Sequence, residues 1–307
     1  MGRLRDRGWR YWRNLGLFLL AVTTLAAVGL AVGLAWMQVD AFLHPRRLPP
    51  LDLPSNRGAE YRDVTFVTSD GLTLQGWYLP SQNGAAIILG HGFGSRRRLK
   101  PALLLARHGY GVLSFDWRAH GESGGEMSTL GYYEVRDVEA ALAWLQAQPD
   151  IDAGRIGMLG ESMGAVTAIR AAARLPAIQA VVVECPYADL EESIGNVWRG
   201  TGLPAFPMVP LQIAFGEWRS GLDLDNIQPL ADVSEIGPRP ILIMTGGRDP
   251  ITGPDAGQRY YAAAAEPKEL WFEPELAHLE FLTTFPQEYE RRVVGFFDTA
   301  LLDQQAR

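Results

Sequence analysis

The first pattern along the chain is a run without charge, from Leu15 to Met37. A helix needs about 20 apolar residues to cross a hydrocarbon core, so residues 15–37 are expected to form a transmembrane helix. Arg3, Arg5, Arg7, Arg10 and Arg13 precede the run. Arginine-rich flanks stay on the cytoplasmic side, which makes residues 1–14 a cytoplasmic segment and places the rest outside. Trp9, Tyr11, Trp12 and Trp36 are suited to the two interfaces. The alternative is secretion after cleavage near Gly33-Leu34-Ala35, but the apolar run is longer than a signal h-region of roughly 7–15 residues. Pro45, Pro49, Pro50 and Pro54 then mark residues 38–59 as an extended linker.

From residue 60 the pattern changes. Val64, Phe66, Leu72 and Leu74 alternate with polar neighbours around the turn signal Ser69-Asp70-Gly71, which predicts an antiparallel hairpin. Short apolar strands are predicted at 85–89, 111–115, 155–160, 178–184, 240–245 and 269–273. Helices are predicted at 96–108, 130–147, 163–174, 255–265 and near 285–302. Such alternation implies an α/β domain over residues 60–302, with a mostly parallel sheet and helices on both faces. It breaks between Tyr187 and Ile236, where Trp198, Phe206, Met208, Phe215 and Trp218 occur. This stretch, about 187–236, is too long for a plain loop and is expected to be a small helical cap over the site.

Composition narrows the function. The 307 residues carry a net charge of −7, and no basic stripe runs through the body, so nucleic acid is not an expected partner. Cys185 is the one cysteine and is expected in the core. The five histidines are scattered, and no Cys/His cluster has metal-ligand spacing.

Gly160-Glu161-Ser162-Met163-Gly164 matches G-x-S-x-G, between a predicted strand and a predicted helix. A serine on that turn projects its hydroxyl off the sheet, beside the positive end of a helix. It needs a base, and the base needs an orienting acid. His278 is the only histidine after Ser162, and Asp249 follows the strand Ile241–Met244 in Gly246-Gly247-Arg248-Asp249-Pro250. Both fall at strand ends, where sites of such sheets form. Asp189 is the reserve acid. Gly90-His91-Gly92-Phe93-Gly94 follows another strand and can turn an amide toward a developing oxyanion. The amides of Phe93 and Met163 are the expected oxyanion hole. His91 and the segment Asp116-Trp117-Arg118-Ala119-His120-Gly121-Glu122-Ser123 are expected to shape loops. Arg96-Arg97-Arg98 is expected to be a solvated helix face, the alternative being attraction of an acidic substrate.

With these motifs the chain resembles the α/β-hydrolase superfamily over roughly residues 60–302. Its look is that of membrane-anchored bacterial hydrolases of the serine aminopeptidase-like and dienelactone-hydrolase-like branches. The resemblance implies an α/β-hydrolase fold with an eight-stranded sheet whose second strand is antiparallel. It implies acyl transfer from an ester, thioester or amide through an acyl-Ser162 intermediate, without a cofactor or metal. Two departures stand out: the loop reads DWRAHG where many relatives have DxRGHG, and serine replaces the cysteine of dienelactone hydrolases. The expected activity is hydrolysis of a carboxylic ester or thioester of a small-molecule or lipid-like acyl substrate at a membrane. The alternatives are a peptidase or amidase, with Glu191, Glu192 or Glu217 facing the site, acyl transfer to a lipid or glycan, and a non-catalytic binding protein on the same fold.

Overall fold

The computed structural model describes residues 2–303. The predicted hairpin is present as β1 (Arg62–Val67) and β2 (Thr73–Leu79), antiparallel, with Val67 opposite Thr73. Six further strands follow: β3 (Ala86–Gly90), β4 (Gly111–Phe115), β5 (Ile156–Glu161), β6 (Ile178–Glu184), β7 (Ile241–Gly246) and β8 (Lys268–Glu273). They form one eight-stranded sheet in the order β1-β2-β4-β3-β5-β6-β7-β8, in which β2 is antiparallel to both neighbours and the rest of the sheet is parallel. Every residue of β3, β4, β5 and β7 is buried. A sheet covered on both faces requires such continuous apolar runs.

The helices α2 (Leu99–Arg107), α3 (Glu134–Gln146), α4 (Met163–Arg174), α8 (Ala256–Ala263) and α10 (Pro286–Phe297) provide the cover. One core joins Val138 and Ala141 of α3, Ala168 and Ile169 of α4 and Tyr260 of α8 to one face of the sheet. The opposite core joins Leu105 of α2 with Tyr289, Val293 and Phe297 of α10. The insertion after β6 carries α5 (Leu190–Gly200), α6 (Met208–Ser220) and the short α7 (Pro229–Asp232). A single-turn α9 (Phe281–Thr284) precedes α10.

Two helix starts differ from the sequence pattern, each because a buried acid organises the preceding loop. Helix α2 begins at Leu99 because Asp116 accepts from the amide and guanidinium of Arg97, while the Arg98 amide bonds Ser114 Oγ. The Arg96–Arg98 run is therefore no solvated helix face: Arg97 is buried, ion-paired with Asp116 and Glu122, and set over the Trp77 ring. Helix α3 begins at Glu134 because its carboxylate takes hydrogen bonds from Thr129 and the Gly131 amide.

The N-terminal helix α1 runs from Gly2 to Leu43, past the expected end at residue 37. It is the one helix among the described residues long and apolar enough to cross a membrane. The side chains of Arg3, Arg5 and Arg7 in the expected cytoplasmic segment lie outside the described residues. Ala35, Val39 and Leu43, spaced one turn apart, are buried. Trp36 meets the rings of Phe215 and Trp218 of α6 at 5.8 and 5.7 Å. Arg219 pairs with Asp40 at 2.5 Å, and Gln38 hydrogen-bonds Gln212. The expected linker thus starts as helix. Its remainder is tied down as well, by Arg47 to the Ser123 and Gly125 carbonyls and by Arg96 to the Pro49 carbonyl at 2.6 Å.

This packing predicts where the chain tolerates truncation. Removing residues 1–30 should leave the unfolding free energy of the domain near that of the full chain. Removing residues 1–43 should lower it by about 3–5 kcal/mol, from the lost burial of Ala35, Val39 and Leu43. Urea unfolding in matched detergent checks both.

Candidate active site

Strand β5 ends at Glu161 and α4 starts at Met163, so the chain reverses direction at one residue, Ser162. Its φ of 54° and ψ of −117° are costly for an L-residue. Two glycines permit the turn. A Cβ on Gly160 would lie 2.2 Å from the Gly164 carbonyl oxygen, and one on Gly164 would lie 2.4 Å from that of Gly90. The Ser162 amide is anchored to the Glu184 carbonyl of β6 at 2.8 Å.

The turn aims Ser162 Oγ at His278. The hydroxyl lies 3.0 Å from His278 Nε2, and His278 Nδ1 lies 2.7 Å from Asp249 Oδ2. The other carboxylate oxygen of Asp249 accepts from the amides of Ile251 and Thr252 at 2.9 and 3.0 Å. Burial raises the Asp249 pKa, but the His278 hydrogen bond and the two amides outweigh it, and the carboxyl is held below its ordinary value. Asp249 is thus ionised, Nδ1 of His278 donates to it, and Nε2 is left to accept the serine proton. Asp189, the reserve acid, instead caps α5 by accepting from the Glu192 amide at 2.7 Å.

The 90–94 loop crosses directly over the serine. A Cβ on Gly92 would stand 3.4 Å from Ser162 Cβ. Phe93 and Met163 both line the cavity that Ser162 and His278 face, and among the described residues neither backbone N–H has an acceptor. Two unpaired amides beside a serine hydroxyl suit an oxyanion. The loop is held by the residues expected to shape it. His91 bonds the Gly92 carbonyl through Nδ1 at 2.7 Å and accepts from the Trp117 amide through Nε2. His120 accepts from the Gly94 amide at 3.1 Å. Burial, with the neighbouring His120, pushes the His91 pKa down to about 3, so it stays neutral.

Sequence reasoning missed three contributors. Glu161 and Glu184 sit opposite each other at the ends of β5 and β6, both buried. Burial, then the charge of Glu161, pushes Glu184 up to about 8, and burial raises Glu161 too despite Arg98 at 2.8 Å. The signal was available: two glutamates closing neighbouring apolar strands cannot both be solvated. The third is Phe42, from the end of α1, which lines the cavity at Ser162. That cavity measures about 270 Å³, and Leu130, Leu190, Ile194 and Val197 make its far walls.

Cys185, Asp249 and His278 offer ligand-type atoms within 4.8 Å of one another. Asp249 and His278 already satisfy each other, and burial with nearby Glu184 and Asp249 pushes the Cys185 thiol up. Asp249 and His278 are thus committed to the hydrogen-bond chain that ends at Ser162.

Residues 55–215 match the family model of the X-Pro dipeptidyl-peptidase (S15 family). The chain is 31% identical to protein Rv2307c of Mycobacterium tuberculosis over 264 residues, 84% of this chain and 86% of that protein. It is 27% identical to protein YqkD of Bacillus subtilis, over 91% of this chain and 96% of that one. Among solved structures, the Pyrococcus furiosus esterase Pf2001 superimposes with a TM-score of 0.73 at 29% identity, covering 85% of this chain and 98% of that one.

The glutamate pair makes stability depend on pH. Between the ordinary carboxyl value of 4.5 and about 8, Glu184 is ionised in the unfolded chain but holds its proton in the folded one. The folded state binds more protons, so stability falls as pH rises through that window. Glu184→Gln should remove its own share of this fall, gaining about 2–4 kcal/mol over the wild type at the upper end. Urea midpoints at about pH 5 and about pH 8 check the slope.

Proposed function

The chain belongs to the X-Pro dipeptidyl-peptidase (S15) family of α/β-hydrolases, a family of serine hydrolases, and within that chemistry we propose, from the lining of its cavity, that it cleaves carboxylic esters through an acyl-Ser162 intermediate. In this reading Ser162 Oγ attacks the substrate carbonyl and its proton passes to His278 Nε2. Asp249 holds the imidazole in the correct tautomer and stabilises its charged form. The Phe93 and Met163 amides receive the oxyanion. His278 then gives the proton to the departing alcohol, and water, activated by the same imidazole, releases the acid.

The observation that carries the ester reading is the lining of the cavity at Ser162. Phe42, Phe93, Leu130, Ile194 and Val197 suit an apolar acyl chain. The likeness to the esterase Pf2001 supports the same substrate class. The family description favours a second reading, cleavage after an X-Pro dipeptide, which calls for an acid to bind the free amino terminus. Glu191 and Glu192 line a different hollow, Glu192 pairing with Arg259, while Glu217 accepts from the Leu224 amide. Glu161 does reach the cavity but is engaged by Arg98.

We also read α1 as a membrane anchor, N-terminus inside, with the hydrolase domain outside the cytoplasm. The support is its length and its exposed apolar surface, from Leu17 to Met37. Burial of Ala35 against Trp198 and Met208 favours retention of the helix over cleavage near that residue.

Three substitutions test the chemistry. Ser162→Ala should abolish turnover of p-nitrophenyl esters while leaving the thermal midpoint near that of the wild type. Asp249→Asn should lower kcat by about 10⁴, whereas Asp189→Asn should stay within about threefold. Steady-state assays with esters beside X-Pro-p-nitroanilides give the answer, and faster turnover of the anilides would replace the ester reading with the peptidase one.

A further inference from the structure

Phe42 stands where three hollows meet. It lines the cavity at Ser162, and it also lines a second cavity of about 190 Å³ enclosed by Gln38, Ala41, Phe93, Ile194, Val197 and Gln212. A third, small hollow of about 40 Å³ continues past Phe42 between Val39, Leu43 and the cap. The first two share four walls: Phe42, Phe93, Ile194 and Val197. The rings of Phe42 and Phe93 pack 5.4 Å apart at this shared boundary. Phe93 also supplies a candidate oxyanion amide, so the partition lies beside the reacting centre.

The second cavity lies beside the first, against Gln38, Ala41 and Phe42 near the C-terminal end of α1. Its polar side chains are committed to one another: Gln212 donates to Gln38 and accepts from Trp198 Nε1 at 2.9 Å. What remains to face the interior is hydrocarbon and aromatic surface. Outside, the cap exposes Leu203, Phe206 and Trp218, and Trp218 rests on Trp36, next to the exposed Met37 of α1. Exposed apolar groups of this size on one insertion mark a surface that meets lipid or protein, and here its helix α6 is packed on the helix read as crossing the bilayer.

We propose that α1 is part of the substrate site as well as an anchor, and that the two cavities form one acyl channel, divided by Phe42, for a long-chain acyl ester drawn from the membrane. Short acyl groups fill the cavity at Ser162. Longer ones pass the Phe42 ring into the space between α1, α5 and α6. Phe42 is therefore the residue that sets acyl length. This rests on the serine-hydrolase reading, and it adds the substrate class and the residue that selects within it.

The test uses the full chain in detergent and alkyl fluorophosphonates with an ethyl or a dodecyl tail. These probes form a bond from Ser162 Oγ to phosphorus, expel fluoride and pass the serine proton to His278, so they report the acyl side whatever the leaving group of the true substrate. The quantity read is the ratio of second-order labelling rates, dodecyl over ethyl. Comparing variants in the same detergent cancels partitioning of the long probe. Phe42→Ala should raise the ratio about tenfold, the scale on which a pocket responds to added or removed hydrocarbon. Phe42→Trp should lower it, which keeps the test decisive even if the alanine variant folds poorly. Labelled variants with the wild-type ratio would overturn the channel and leave the serine hydrolase standing. A folded wild type that neither probe labels would overturn both.

Discussion

Ser162 is held at positive φ between a buried strand and a buried helix, and the rest of the site is arranged around that turn. Such a conformation costs an L-residue on the order of 1–3 kcal/mol. Here it is kept by backbone contacts that leave no room for relaxation. The Ser162 amide bonds β6, Gly160 and Gly164 let β5, α4 and the 90–94 loop approach within contact, and Met163 is buried. Strain continues around the centre: Cys185 after β6 and Leu279 after His278 also have positive φ.

Buried charged side chains behind the site keep the loops in register. Asp116 gathers Arg97 and the Glu122 amide, and Gly121 approaches so closely that a Cβ would lie 2.1 Å from the carboxylate. Arg118 is clamped by Asp137 and Asp70. His91 and His120, both neutral, convert that scaffold into the path of the 90–94 loop. The Arg97–Asp116 and Arg118–Asp137 pairs are buried on both sides, so removing one partner would strand a charge. The polar residues around the serine are thus mainly construction, and the group aimed at Ser162 is His278.

The hairpin and the parallel strands were legible because alternation and continuous apolar runs each follow directly from which faces a strand buries. Ser162, Asp249 and His278 were legible as a group because each follows a strand end, and strand ends of a parallel sheet converge. Other features were not. The apolar run of α1 is uniform, so nothing in it marks Ala35, Val39 and Leu43 as the face that fits α6, and the proline-rich composition after it suggested a free tether. Arg97 looked solvated beside Arg96 and Arg98, because the acid that buries it lies nineteen residues away at Asp116. Phe42 entered the cavity only through the docking of α1 on the cap. In every case the missing information was a partner distant in sequence.

The N-terminal helix and the site are consequently one unit: α6 packs on α1, α5 lines the cavity at Ser162, and Phe42 reaches that cavity beside the 90–94 loop. The central claim remains the activated hydroxyl at Ser162, and the most direct measurement is peptide mapping by mass spectrometry after brief exposure to a p-nitrophenyl ester and acid quenching. An acyl mass increment on the peptide containing Ser162, absent in His278→Ala, is the predicted result. An increment on another peptide, or turnover with no acylated Ser162 even in rapid-quench samples, would contradict it.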